Sequence, residues 1–248
     1  MSEIAIIIPA RMESSRFPGK PLVKLLGREM ILHVLDRVTE VVSKEITYVA
    51  TDSCQIARLV EKSGFQVVMT GDHATGTDRL AEANQIINAP YVLNIQGDEP
   101  AFNPIDVMAS IEFLKHSGFP AVTGYCEAVG DAEFKDGNTI KVTFSLSKRL
   151  LYISRASIPG AKSNRATKFY RQVCMYGYTK DALSGFAEMP RGAFEQIEDH
   201  ELLRFLENDI PVGVVKLSDW SVPVDIPSDI VLAENQLKQK FYLRDLID

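Results

Sequence analysis

Cysteine is scarce in this chain. Cys54, Cys126 and Cys174 are the only three in 248 residues, and they lie too far apart for a disulfide framework or a zinc-finger spacing. The four histidines, His33, His73, His116 and His200, are equally scattered. No apolar run approaches the roughly 18 residues of a membrane span, and MSEIAIIIPAR lacks the basic and then apolar regions of a secretory signal. Positive charge is in deficit: 27 Lys and Arg against 33 Asp and Glu give a net charge of −6, which excludes a generally basic surface for polymeric nucleic acid. The expectation is a soluble cytoplasmic protein in a reducing compartment, without membrane insertion.

Two nucleotide signatures are also missing. Lys20 follows Gly19 but precedes Pro21, and no glycine stands at the upstream position that a P-loop requires. The first apolar run does not lead into GxGxxG, so hydride chemistry on a dinucleotide loses its usual support. An ATP-dependent sugar kinase is weakened on the same ground.

What is present reads as an ordered globular unit, 46% hydrophobic and 24% charged. The length fits one large α/β unit carrying at most a small subdomain. Ile4 to Ile8 is a β-branched apolar run, as in a central strand covered on both faces. Met30, Ile31, Val34, Leu35, Val38 and Val41 form a helical stripe. Strands are expected at 46–50, 66–69, 91–95, 121–126, 139–144, 150–154, 172–178 and 212–216. Helices are expected at 56–62, from a Thr77 cap towards Asn88, at 104–115, at 198–207 and after a Ser228 cap, with an ordered loop at 186–193. This alternation argues for a doubly wound sheet, whose ligands lie beyond the carboxyl ends of its strands. From about residue 130 to 171 the pattern changes, suggesting a small inserted layer.

Chemistry concentrates in those ligand-facing loops. PARMESSRFPGKP (9–21) gathers Arg11, Arg16 and Lys20 beside Ser14, Ser15 and Gly19. Planar guanidinium forks, a mobile ammonium and the donors of a glycine turn together suit several phosphate oxygens. QGDEP (96–100) and VPVDIPSD (222–229) supply Asp98 and Asp225, whose oxygens suit a hard divalent cation if folding brings them together; otherwise they are turn and cap residues. GDHATGTDRLAE (71–82) places Thr75, Gly76, Thr77 and Arg79 at the start of a helix, either as a capped terminus or as a nucleotide contact.

In order, IIPARMESSRFPGKPL, TGDHATGTDRLAEA, NIQGDEP, IKVTFS, LYISRASIP, YRQVCMYGY, FEQIEDHELLRFLE and VPVDIPSD span almost the whole chain. This set resembles the 3-deoxy-manno-octulosonate cytidylyltransferase family of the nucleotidyltransferase superfamily. The resemblance implies an α/β, Rossmann-like nucleotide-diphospho-sugar transferase (GT-A-like) fold over residues 1–248. It also implies a dimerisation region at about 130–171 and a homodimer. The expected reaction joins CTP and an eight-carbon acidic sugar, with Mg²⁺, to form a CMP-sugar for lipopolysaccharide synthesis. Carried onto matching positions, Arg11, Ser14, Arg16 and Lys20 form the CTP phosphate loop, with Arg11 and Lys20 catalytic. Asp98 and Asp225 hold Mg²⁺. Thr75, Gly76, Thr77 and Arg79 shape the nucleotide pocket, and Gln96, Arg155, Tyr178, Gln196 and Glu198 contact the sugar.

The sequence departs from that pattern at the sugar end. RQVCMYGY stands where the family resembles RHLGIYGY, so Gln172 replaces a histidine and Cys174 a glycine. Gln196, Asp199 and His200 fall in a segment that more usually resembles EQLEMLEQLR. Such changes bear on which sugar substituent is accepted, and the related 8-amino-3,8-dideoxy sugar is the alternative substrate. A nucleotide-binding regulatory module without turnover is the non-enzyme alternative.

Overall fold

The apolar run near the start of the chain forms β1 (Ile4–Ala10), and its alternation divides the core in two. Ala5 and Ile7 join one buried cluster, whereas Ile4, Ile6 and Ile8 join another on the opposite face of the sheet. Ile6, Ile7 and Ile8 are fully buried, each contributing ~1.5–3 kcal/mol relative to exposure. This is why the strand reads as continuously hydrophobic.

The computed structural model describes residues 3–13, 16–160, 162, 168–218 and 221–244. After β1 come the two-residue strands β2 (Lys24–Leu25) and β3 (Arg28–Glu29), then α1 (Met30–Val38), β4 (Thr47–Thr51), α2 (Cys54–Lys62) and β5 (Gln66–Met69). They are followed by α3 (Gly76–Ile87), β6 (Tyr91–Ile95), α4 (Pro104–His116), β7 (Ala121–Ala128) and α5 (Asp131–Lys135). The chain continues through β8 (Lys141–Phe144), β9 (Leu150–Ser154), β10 (Phe169–Thr179), α6 (Lys180–Glu188) and α7 (Ala193–Glu198). It ends with α8 (Leu202–Glu207), β11 (Val212–Lys216) and α9 (Asp229–Arg244).

The main sheet has the order β11-β7-β10-β6-β1-β4-β5, with β8 and β9 attached at β10. β1 is parallel to β4 and β6, β4 to β5, and β11 to β7. β10 runs antiparallel to both β6 and β7. The expected doubly wound α/β sheet is therefore a mixed one. Helices α1, α2 and α4 lend apolar side chains to one face, and α3, α6 and α8 to the other. The segment expected as a small inserted layer extends this sheet: Lys141 of β8 stands opposite Arg171 of β10, and β8 pairs with β9.

Three local expectations are corrected. The cap of α3 is Thr75, whose hydroxyl accepts from the Asp78 amide at 3.1 Å, so Thr77 lies inside the first turn. Residues expected as a loop from 186 begin inside α6, which Thr179 caps by accepting from the Ala182 amide. The helix expected over 198–207 is split into α7 and α8, because Asp199 adopts φ 49° in the left-handed region. A left-handed residue cannot continue an α-helix, and its backbone turns the following residues in a new direction.

β10 carries an irregularity against β7. Val173 faces Gly124 and Tyr176 faces Thr123, so Cys174 and Met175 have no opposite residue there. Because two residues are inserted, the alternation is preserved, and Gln172, Cys174, Tyr176 and Tyr178 share one face. Gly124 permits this close approach: a Cβ there would meet Leu217 Cδ1 at 2.4 Å and the Val173 carbonyl oxygen at 2.9 Å. Gly124→Ala is expected to destabilise the fold by ~1–3 kcal/mol through overpacking, measured by urea unfolding. An unchanged midpoint would show that β7 and β10 can separate at no cost.

Candidate functional site

Strands β1 and β6 lie side by side and parallel, so Arg11, just past β1, and the Gln96–Glu99 turn, just past β6, emerge at the same edge. Two hydrogen bonds then build the site. Gly19, in the left-handed region at φ 72°, donates its amide to the Met12 carbonyl at 2.9 Å and folds the basic loop back on itself. The Val224 amide donates to the Asp98 carbonyl at 2.9 Å, docking a segment near the end of the chain against the β6 turn. Asp229 holds that segment in shape by accepting from the amides of Asp225 and Ile226, each at 2.9 Å. Ala233 and Leu237 of α9 pack with Val224, Leu25, Met30 and Ala101 beneath it.

The result joins Asp98 and Asp225 around one ammonium. Lys20 Nζ lies 2.6 Å from Asp98 Oδ2 and 3.3 Å from Asp225 Oδ1, and Arg16 reaches the same Asp225 oxygen at 3.1 Å. Two positive and two negative side chains thus meet at the mouth of a cleft of about 750 Å³. The cleft is also lined by Arg11, Thr75, Gly76, Thr77, Arg79, Gln96, Arg155 and Tyr178. Ser14 lies outside the described residues.

One wall of the cleft is the start of α3. Its Gly76 and Thr77 amides, expected to be available to a nucleotide, already donate to the Glu201 carboxylate at 3.3 and 2.8 Å. Arg79 lines the cleft but is only 2% exposed, with its guanidinium held by Asp52 and Thr70 at 2.6 Å each. It is therefore anchored in the wall. Tyr178 is buried, its ring stacked near Phe205 and its hydroxyl 3.2 Å from Thr77 Oγ1.

At the other end Arg155 leaves β9. Glu198, expected to touch sugar, instead supports this arginine: its carboxylate accepts from Ser154 Oγ and from the Arg155 amide, and its carbonyl accepts from Arg155 Nε at 2.9 Å. Gln196 is exposed, does not line the cleft and donates to the Arg191 carbonyl at 3.1 Å. Neither Gln196 nor Glu198 lines the cleft; the chain turns at the left-handed Asp199, and Asp199, His200 and Glu201 line it. Sequence reasoning gave Glu201 no role. The signal was helical spacing, since Glu201 and Arg204 lie three residues apart, and Arg204 reaches Asp78 in the first turn of α3 at 3.2 Å.

Several groups in the wall titrate away from their ordinary ranges. Burial, and then the adjacent Asp98 charge, raise the Glu99 carboxyl to about 7. Burial pushes the Cys174 thiol and the Tyr176 and Tyr178 phenols upward. Burial, and next the Arg155 charge, push His200 down to about 4. Its Nδ1 accepts from the Leu202 amide at 3.3 Å, so Nε2 carries the proton and donates to Gln172 Oε1 at 2.9 Å.

Asp98 and Asp225 fit a hard divalent cation by donor chemistry: both already stabilise one positive charge, and two carboxylates are a common protein share of a Mg²⁺ site completed by water and phosphate. Among the described residues no three His, Cys, Asp or Glu side chains converge on a metal position. No helix among them is long and apolar enough to cross a membrane.

A cytidylyltransferase family profile matches residues 5–216. A 3-deoxy-manno-octulosonate cytidylyltransferase of Syntrophotalea carbinolica is 39% identical over 246 residues, covering 95% of this chain and 98% of that relative. An 8-amino-3,8-dideoxy-manno-octulosonate cytidylyltransferase of Shewanella pealeana is 38% identical over 241 residues, covering 94% and 98%. Among solved structures, CMP:2-keto-3-deoxy-manno-octonic acid synthetase complexed with CTP matches with a TM-score of 0.90 and 32% identity, covering 96% of this chain and 100% of that one. A 4-diphosphocytidyl-2C-methyl-D-erythritol synthase from Anaerococcus prevotii shares the fold at a TM-score of 0.63 and 17% identity.

The buried neutral imidazole has a consequence for stability. Between pH 6.5 and about 4 the unfolded chain binds a proton at His200 that the native chain refuses, so native stability falls as pH drops through that window. The full effect is on the order of 3 kcal/mol at about 1.4 kcal/mol per pH unit. Glu99 acts in the opposite sense, because its native pKa near 7 lies above the unfolded value and favours the native chain as pH falls. The His200 contribution is therefore read as a difference. Urea unfolding of His200→Leu should show a smaller loss of stability from pH 7 to pH 5 than the unsubstituted chain, and equal losses would contradict a buried neutral imidazole.

Proposed function

The chain belongs to the cytidylyltransferase family, and we propose that it transfers CMP from CTP to 3-deoxy-manno-octulosonate, releasing pyrophosphate and supplying the activated sugar for lipopolysaccharide synthesis. The observation that carries this reading is the convergence of Arg16, Lys20, Asp98 and Asp225 in a cleft that Arg155 also lines.

In the reaction the anomeric 2-hydroxyl oxygen forms a bond to the α-phosphorus as the bond to the pyrophosphate oxygen breaks, and the hydroxyl proton passes to water. Arg11, Arg16 and Lys20 donate to phosphate oxygens, where positive charge placed in advance stabilises the transition state. With the Lys20 ammonium turned to phosphate, Asp98 and Asp225 would be the residues to hold Mg²⁺. The ion would supply Lewis-acid stabilisation of phosphoryl charge and would lower the pKa of a coordinated hydroxyl. Arg155, held through its Nε by the Glu198 carbonyl, receives the sugar carboxylate. Gln96 and Tyr178 line the same cleft.

A second reading has one observation in its favour. Asp199 lines the cleft with its side chain 85% exposed, and an exposed carboxylate there, with Arg191 3.9 Å away, suits the ammonium of the 8-amino-3,8-dideoxy sugar. Incubation of CTP and Mg²⁺ with either sugar, followed for CMP-sugar and pyrophosphate, separates these readings. Turnover of the amino sugar alone would replace the first by the second, and CTP binding without turnover of either would leave a regulatory module. Asp98→Asn should reduce turnover by at least ~100-fold, as loss of a charge-stabilising group does, with an unchanged melting temperature. Unaltered activity at limiting Mg²⁺ would remove Asp98 from the metal site.

The proposed assembly is a homodimer through the 130–171 region. Leu146 and Leu151 are exposed there, and Phe194, whose ring lies 6.3 Å from Tyr152, is exposed as well. Leu151→Glu should shift the sedimenting species from two chains towards one, whereas an unchanged dimer would place the interface elsewhere.

A further inference from the structure

Gln172 and His200 are two departures from the family pattern that lie far apart in sequence and come together in the fold. Gln172 Oε1 accepts from His200 Nε2 at 2.9 Å, and Gln172 Nε2 donates to Thr123 Oγ1 at 3.1 Å. The Gln172 amide donates to the Ile140 carbonyl at 2.9 Å, and the His200 amide to the Glu195 carbonyl at 3.3 Å. Both side chains are more than nine-tenths buried. The pair therefore ties the α7–α8 junction to β10 and, through Thr123, to β7. On the far side of the same junction, Glu201 is tied to the amides of Gly76 and Thr77.

Asp199, directly before these anchors, keeps a largely exposed side chain. It is left-handed at φ 49°, lines the cleft, and has one distant partner, Arg191, at 3.9 Å. Its backbone conformation is uncommon for a residue with a Cβ and persists when the flanking residues are held. His200, the next residue, is held at both ring nitrogens.

We infer that Gln172 and His200 act as one positioning unit that presents the Asp199 carboxylate to the sugar end of the cleft, making Asp199 the residue that selects the sugar's distal substituent. This rests on the cleft being the CTP and sugar site. Arg155 and Asp199 give the sugar end one positive and one negative group. The arginine takes the carboxylate of an acidic sugar, and the aspartate takes a hydrogen-bond donor, hydroxyl or ammonium, at the other end. The neutral state of His200 over the physiological range leaves the Asp199 carboxylate without a cationic neighbour on its own anchor.

The test is a kinetic cycle with CTP and each of the two octulosonates. Asp199→Ala should raise the sugar KM by about tenfold, the scale of one lost charge-assisted hydrogen bond, while changing the CTP KM less than about twofold. His200→Leu and Gln172→Leu should raise the sugar KM similarly. In an Asp199→Ala background neither should add a further increase, because both act through Asp199. Gln172→Asn, which keeps the amide and shortens its reach, replaces either variant that fails to fold. The inference is overturned if His200→Leu has its full effect without Asp199, or if the CTP KM rises in step with the sugar KM. An unsubstituted chain that turns over neither sugar refutes the functional reading; normal turnover with Asp199→Ala kinetics unchanged refutes this inference alone.

Discussion

Two carboxylates brought together from distant parts of a chain repel one another, and they share a site only where their backbones are fastened and a positive charge stands between them. Here the fastening is the hydrogen bond from the Val224 amide to the Asp98 carbonyl, and the charge is the Lys20 ammonium. Much of the remaining architecture serves this meeting. The parallel pairing of β1 and β6 brings the basic loop and the Asp98 turn to one edge. Apolar packing of α9 on Leu25 and Met30 holds the Asp225 segment over them. A partly exposed ion pair gains little by itself, so its geometry depends on the backbone contacts and the packing beneath.

The second half of the cleft is organised by buried charge. Arg204 is 2% exposed and Glu195 is fully buried, yet each is satisfied: Arg204 bonds both Glu195 oxygens at 2.8 and 2.7 Å and reaches Asp78 at 3.2 Å. Lys141, also fully buried, donates to three carbonyls, those of Asp136, Thr139 and Arg155. Burial lowers its pKa, and the three acceptors offset the loss of water. These cations work inward as braces. Arg204 ties the α7–α8 unit to α3, and Lys141 ties the loop before β8 to the end of β9. Arg11, Arg16 and Lys20 remain at the cleft mouth, which is how a chain of net charge −6 offers a cationic surface to phosphate.

Much of this was legible in the sequence, for physical reasons that differ by element. β1 and most of β6 announced themselves because strands buried on both faces are largely apolar. The loops at 9–21, 96–100 and 222–229 stood out because functional polar groups interrupt such strands at their ends. The placement of Glu198 and Gln196 was not legible because helical periodicity carries no sign of a single left-handed residue, and Asp199 ends their helix. Arg79 reads as a phosphate ligand in sequence because composition does not reveal that Asp52 and Thr70 already hold it.

The sequence alone determined the chemistry available to this protein: which strands would be buried, which loops would carry cations, and which carboxylates could serve a metal. Those properties are local, set by side-chain type and short-range periodicity. Tertiary structure decided which of those groups face the cleft and which brace it. Glu201 spends its charge on the α3 amides, Glu198 orients Arg155, and Gln172 meets His200 only because β10 and the α7–α8 junction fold together. A hydrogen bond between residues distant in sequence depends on ångström-scale placement by the core, and no spacing along the chain encodes it directly.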